Sequence, residues 1–394
     1  MFLNIKIRRI GLLSLIVGVM VFNLGSEWAQ DSIIWYGCLG IAVLISAVSI
    51  LVDGFGAAGP VLCFPIGFAI ICFASILWAT SQAMASAGAR VALLSLVVIT
   101  AFSCLIHERE DIWFLLKLLV LSGVILILYL SARNGVHALL TLREDVDSSV
   151  INANEFGVKC TISSFCAYVL VRFGSKCRKL YTLAALVFIV FALSTASRKV
   201  LVLIAFLFGL SYIISSERGK IRSVVIVLLI AVLAVFAVYQ VPYLYDLIGA
   251  RIDEMLSAFG APSIDLHTST GQRLSYIELG MSLFNKKPFF GHGIANAAYY
   301  NGTYLHNNYV ELLADVGLIG TLVYYAPYFV AIYSNGKCYR EDHDPLALTC
   351  MLLVLGLIVI DVFQVSYLNR TLMLIPFLGC SYGLLTMRGF VNGE

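Results

Sequence analysis

The chain has 394 residues, of which 60% are hydrophobic and only 12% charged, and its mean hydropathy is +0.93. Soluble domains carry roughly twice that charged fraction, so the polar residues cannot coat a soluble core of this length. The net charge of +3 is too small to favour nucleic acid.

A crossing of ~30 Å of hydrocarbon needs roughly 20 residues of helix. Apolar runs of about that length lie near 10–25, 32–51, 61–79, 91–107, 112–131, 156–172, 181–197, 199–215, 223–241, 308–333, 346–362 and 370–387. They predict an all-α, polytopic membrane bundle of about twelve transmembrane helices, a single integral membrane domain over 1–394. Helices are required because a lipid-exposed backbone must satisfy its own hydrogen bonds. The first run follows Lys6, Arg8 and Arg9. No small-residue cleavage site follows it cleanly, so it reads as a retained span rather than a secretory signal. With the N-terminus inside, fourteen Lys and Arg fall in cytoplasmic segments against six in short outer loops. That bias places both termini in the cytoplasm and the 242–305 segment outside.

The ten cysteines lie mostly in or beside apolar runs, with Cys177 and Cys338 in basic loops. None has Cys-x-x-Cys or Cys/His spacing, so neither a disulfide framework nor a metal site is expected.

Polar residues at the outer ends of spans are the functional candidates. Asn152-Ala153-Asn154-Glu155 opens the sixth span and reads as a capped helix entry, with Asn154 also placed to hold sugar hydroxyls. Ser197-Arg198-Lys199 forms a very short hairpin. A cation there suits a lipid phosphate and equally a boundary residue snorkelling to water. Within 242–305, Leu274, Ile277, Met281 and Phe284 predict an amphipathic helix lying on the membrane or capping the bundle. It is opened by Ser269-Thr270-Gly271-Gln272-Arg273, with Arg273 expected in its first turn, against the macrodipole. Pro288 and the Gly291-His292-Gly293 turn end it. His306-Asn307-Asn308-Tyr309-Val310-Glu311 starts the tenth span. There Asn308 is the expected cap, Glu311 the capping-box partner, and His306 lies above a helix N-terminus. An imidazole there can take a proton from a hydroxyl nucleophile, and an ordinary interfacial histidine fits the same position. Glu311 and Asp315 share one helix face and need a polar cavity, a cation such as Arg198 or Arg273, or sugar hydroxyls.

In order, Ser197-Arg198, Thr270-Gly271-Gln272-Arg273, Pro288 to Gly293, and His306 running to Gly320 resemble the O-antigen ligase and repeat-unit polymerase family of membrane glycosyltransferases. The resemblance covers roughly 150–330. It implies a bacterial inner-membrane enzyme with its active site on the periplasmic or extracellular side. The implied donor is a glycan on undecaprenyl diphosphate, and the acceptor a hydroxyl of another glycan or lipid-linked molecule. It implies no metal or other cofactor, and a flippase and a chain-length regulator as further partners. By motif, Arg198 and Arg273 take the arginine roles on the diphosphate and His306 the role of base, with Glu311, Asn307 and Asn154 as further substrate contacts. The Gly-His-Gly turn and the Asn-Asn-Tyr-x-Glu-Leu wording resemble polymerases more than ligases to lipid A-core. Two other classes stand beside this one. A secondary transporter would couple ions through Glu311 and Asp315, although such acids usually sit near the midplane. A scaffold for polysaccharide export would tolerate His306→Ala.

Overall fold

The computed structural model describes residues 5–23, 33–140, 152–174, 177–216, 219–242, 245–250, 252–253, 256–257 and 268–392. Among these residues the chain is helical throughout, without a strand. The helices are α1 (Ile5–Asn23), α2 (Ile33–Asp53), α3 (Cys63–Ser75), α4 (Gln82–Cys104), α5 (Arg109–Asn134), α6 (Val136–Leu140), α7 (Ala153–Phe173), α8 (Arg178–Ser194), α9 (Arg198–Ser215), α10 (Lys220–Gln240), α11 (Ser269–Lys286), α12 (Ala297–Asn301), α13 (Asn308–Asp342), α14 (Pro345–Ile360) and α15 (Leu374–Asn392). Each of the twelve apolar runs falls on one of them. Seven helices among the described residues, α2, α4, α5, α7, α9, α10 and α13, are long and apolar enough to cross a membrane. Gly59–Ser75, Pro345–Ile360 and Leu374–Met387 are shorter apolar helices.

Polar residues at the run boundaries start the helices. The side chains of Ser81, Asn152, Thr268, Asn307 and Asp344 each accept a backbone N–H from the first turn of α4, α7, α11, α13 and α14. Pro345 follows its cap as the first helical residue, where a missing N–H costs nothing.

The chain divides into two compact units. The first comprises Met1–Val19, Ile33–Ile112 and Ile264–Glu394. Its spine is α13, on which α3, α11, α14 and α15 all pack. Charges meet at one end of this unit. Arg8, only 2% exposed, reaches Glu108 at 2.6 Å and Asp53 at 3.6 Å, and Arg9 lies 3.7 Å from Asp111. Asp111 accepts the N–H groups of His107 and Glu108, each at 3.1 Å. Arg109 pairs with Asp344 at 2.9 Å, and the Tyr382 hydroxyl donates to the same carboxylate. The 23 residues of α4 carry the chain about 34 Å to the other end. There Ser81 N donates to Asn296 Oδ1 at 2.7 Å, and Thr80 meets the Tyr300 hydroxyl at 2.7 Å. Within this unit, loops that the charge bias puts on one side of the membrane therefore pair with each other.

The second unit comprises Met20–Ser32 and Trp113–Ser263. Here α7 packs on α8 and α9, and α10 packs on α9. Small hydroxyls join the helices where no water is available: Ser163 donates to the Leu119 carbonyl and Ser164 to that of Ala185, each at 2.9 Å. The large side chains of α10 are mostly exposed and apolar, as a lipid-facing surface requires.

All ten cysteines are free thiols. Cys338, expected in a loop, is buried within α13, because that helix runs nine residues beyond the apolar run that predicted it.

Candidate active site

Two of the three main candidates are carried by the packing of α11 on the start of α13. Thr268 caps α11 by accepting the Gly271 N–H at 3.0 Å. Arg273 is therefore the fifth helical residue, in the second turn rather than the first, and the macrodipole opposes it less than expected. The buried face of α11 is also rotated from the stripe read in the sequence. Leu283 is buried in a cluster with Ala297, Leu305, Val310 and Ala314, and Tyr276, Ile277 and Leu279 pack against it. Met281 is 37% exposed. The face centres on Gly280, where a Cβ would overlap the Val310 side chain of α13 and lie 2.7 Å from Leu305 Cδ1, so the bare backbone lets the two helices close up.

His306 sits at this contact. Its ring stacks on Tyr276, with centroids 6.0 Å apart and planes at 11°, and leans on Tyr304 at 4.1 Å. Tyr276 lies one turn beyond Arg273 on α11. The His306 backbone is left-handed, with φ of 57°, a conformation rarely adopted by residues other than glycine. Both neighbours are fixed. Leu305 N donates to Glu311 Oε2 at 2.6 Å, and Asn307 Oδ1 accepts from Val310 N at 3.1 Å.

Asn307, not Asn308, is therefore the cap of α13, and Glu311 reaches back to Leu305 instead of closing a box on the cap residue. Asn308 is used at long range. Its Nδ2 donates to the Tyr325 hydroxyl at 2.8 Å and to Asp361 at 3.2 Å, and its Oδ1 accepts from Ser366 N at 2.9 Å.

The Pro-x-x-Gly-x-Gly segment does more than end α11. Within α13, Gly317 adopts φ 66° and ψ −169°, which splits the helix in two. The 288–293 segment lies along that break as a strap. Leu318 N donates to Pro288 O at 2.8 Å, and Ile319 N to Phe289 O at 3.3 Å. From the strap, His292 N donates to Ala314 O at 2.9 Å and Gly293 N to Asp315 O at 2.8 Å. Backbone groups orphaned by the break thus find partners in the strap. A Cβ on Gly317 would overlap the Phe289 carbonyl, and one on Gly291 the Asp315 carbonyl.

Glu311 and Asp315, near the start of α13, hold this loop. Asp315 is fully buried and accepts from Ala295 N at 2.9 Å, Ala297 N at 2.6 Å and the Tyr367 hydroxyl at 3.1 Å. Glu311, expected to meet sugar hydroxyls or a cation, is 1% exposed with its Oε2 on Leu305 N. Asn307 likewise is 7% exposed, its oxygen spent on the cap. His292 is buried, with Nε2 3.0 Å from the Leu283 carbonyl and Nδ1 3.5 Å from the Tyr300 hydroxyl. Burial pushes its pKa below the ordinary histidine value, and the nearby Lys287 and Lys286 act in the same direction. A neutral ring that donates to Leu283 follows.

Arg198 and Asn154 belong to the second unit. Ser197 is buried at the start of α9 without a side-chain cap, and Arg198 is its first, half-buried helical residue. The hairpin from α8 is only Thr195, Ala196 and Ser197, with Ala196 left-handed at φ 48°. The start of α7 packs here: a Cβ on Gly157 would lie 2.6 Å from Val200 Cγ2 and 2.7 Å from Thr195 Oγ1. Asn152 caps α7 as expected, accepting Asn154 N at 2.9 Å. Sequence reasoning passed over Lys159, a lysine inside a span, 12% exposed and 3.0 Å from Glu155. Its signal was a Glu-x-x-x-Lys pair within an otherwise apolar run. Among the described residues, no three His, Cys, Asp or Glu side chains are arranged to hold a metal ion.

Among curated proteins, none matches the chain. A family model described as O-Antigen ligase matches residues 183–325, from within α8 to the middle of α13, a stretch that contains Arg198, Arg273, the 288–293 strap and His306. Over that stretch the chain is similar to the O-antigen ligase family, whose membrane proteins serve cell-surface polysaccharide biosynthesis.

Proposed function

We propose that the protein is a repeat-unit polymerase that moves a glycan from undecaprenyl diphosphate to an acceptor hydroxyl on the outer face of the bacterial inner membrane. The acceptor oxygen attacks the anomeric carbon, the bond from that carbon to the diphosphate oxygen breaks, and the hydroxyl proton passes to His306. The lipid diphosphate leaves with its electron pair, and the anomeric centre inverts. Arg273 and Arg198 stabilise the charge that develops on the leaving group through bidentate hydrogen bonds, which require no metal. Asn154 contacts the glycan. The chain crosses the membrane twelve times with both termini inside, and a flippase and a chain-length regulator work beside it.

The observation that carries this reading is the α11–α13 contact, which sets the His306 imidazole against Tyr276, one turn from Arg273. The description of the family model favours a second reading, a ligase that delivers the glycan to lipid A-core. Reconstitution with lipid-linked oligosaccharide and sizing of the product separates the two. Longer lipid-linked chains support the polymerase, and transfer only to added lipid A-core supports the ligase. His306→Ala should insert normally and transfer nothing; normal transfer would remove the base from the scheme.

A further inference from the structure

An imidazole that must take a proton from an incoming hydroxyl works only if its nitrogen points along the attack direction, and a misplacement of about 1 Å can cost roughly a hundredfold in rate. His306 occupies a backbone conformation that its own side chain disfavours, with φ of 57°. It is kept there by neighbours pinned to the first turn of α13 on either side. Leu305 N is held by Glu311 Oε2 at 2.6 Å, and Asn307 caps Val310 N at 3.1 Å. The Leu305 side chain is itself buried in the α11–α13 cluster. The ring then lies between Tyr276 at 6.0 Å and Tyr304 at 4.1 Å.

Glu311 has no route to a substrate in this arrangement, because it is 1% exposed and its carboxylate faces the Leu305 amide. We infer that Glu311 is a positioning residue, which fixes His306 through the Leu305 N–H while the rings of Tyr276 and Tyr304 set the plane of the imidazole. This assignment rests on the transferase reading above. Glu311 acts as an acceptor only, so the inference requires a carbonyl-type oxygen there and not a negative charge.

The test uses full-length protein in liposomes with lipid-linked oligosaccharide, together with hydrogen exchange at the Leu305 amide. Glu311→Leu should lower kcat roughly 10- to 100-fold while KM for the donor stays within about twofold, and should speed exchange at Leu305. Glu311→Gln keeps the acceptor oxygen and should restore most of kcat and the slow exchange. Should Glu311→Leu fail to fold, Tyr276→Leu and Tyr276→Phe ask the same question. Loss of the ring should lower kcat at constant KM, whereas loss of the hydroxyl alone should leave it largely intact. A rise in KM at constant kcat would place Glu311 on the substrate and overturn the inference. So would a Gln variant as inactive as the Leu variant, or unchanged Leu305 exchange in Glu311→Leu. If wild-type protein transfers nothing while exchange still rises in Glu311→Leu, the transferase reading fails and the tether alone survives.

Discussion

Replacing Gly317 by alanine tests the crossing of the strap over the broken α13. Gly317 has φ 66° and ψ −169°, a region open essentially only to glycine, and forcing another residue into it costs ~1–3 kcal/mol. The new Cβ would overlap the Phe289 carbonyl, so the strap must move away from the helix. That movement breaks the bonds of Leu318 N to Pro288 O at 2.8 Å and Ile319 N to Phe289 O at 3.3 Å. At ~0.5–1.5 kcal/mol each, they bring the expected loss to about 2–6 kcal/mol, a large part of a stability of ~5–15 kcal/mol. Gly302 supplies the control. It is also left-handed, at φ 77°, but a Cβ there meets nothing within 4 Å. Gly302→Ala should therefore cost only the local backbone strain, ~1–2 kcal/mol. Unfolding of the purified variants in mixed detergent, followed by far-UV circular dichroism with increasing SDS, measures both. If Gly317→Ala is no less stable than Gly302→Ala, the close crossing does not support the fold as argued.

Further outcomes can be checked with the same preparations. Arg273→Lys should lose most transfer activity, because an ammonium cannot replace a bidentate guanidinium; full activity in the lysine variant would exclude a forked contact. EDTA should leave transfer unchanged, and its inhibition would reveal a metal requirement. The His292 pKa is lowered by burial from its ordinary value of 6.5, so the unfolded chain binds more protons below that pH. Stability should therefore fall as pH drops through about 6.5 and below, and His292→Gln should flatten the slope of unfolding midpoint against pH. Asn308→Ala strands the Ser366 and Tyr367 N–H groups, at a cost of ~1–3 kcal/mol for each group left unsatisfied, and leaves the buried Asp361 carboxylate with the Tyr325 hydroxyl as its donor; a change below ~0.5 kcal/mol in SDS unfolding would contradict the cross-link.

The helices were legible because long apolar runs leave the backbone little choice. Their ends were less so. The run that predicted α4 starts at 91, but the helix starts at Gln82, since Ser81 caps it and the polar residues up to Arg90 lower hydropathy without opposing a helix. The break at Gly317 was hidden, because the apolar pattern continues across it and the cause lies in a strap some 25 residues upstream. Sequence spacing put Glu311 and Asp315 on one face correctly. It could not show that their partners are amides of the preceding loop rather than cations, because those contacts depend on how 288–306 folds over α13. The one-residue error at the cap has a similar origin. Of two adjacent asparagines, Asn308 is taken by Asp361, 53 residues away, which leaves the cap to Asn307.

The burial of Arg8 bears on how the chain is made. Its strongest partner, Glu108, lies 100 residues later, and at ~5–20 residues per second the ribosome needs roughly 5–20 s to deliver it. During that interval α1 is already synthesised while its arginine lacks Glu108 and Asp111. Water and lipid phosphates at the membrane surface shelter the guanidinium until Asp53 emerges at the end of α2, and the cluster is complete only when Glu108 and Asp111 follow. α1 is thus translated before the helices it pairs with, and its ion pairs are complete only after they have emerged.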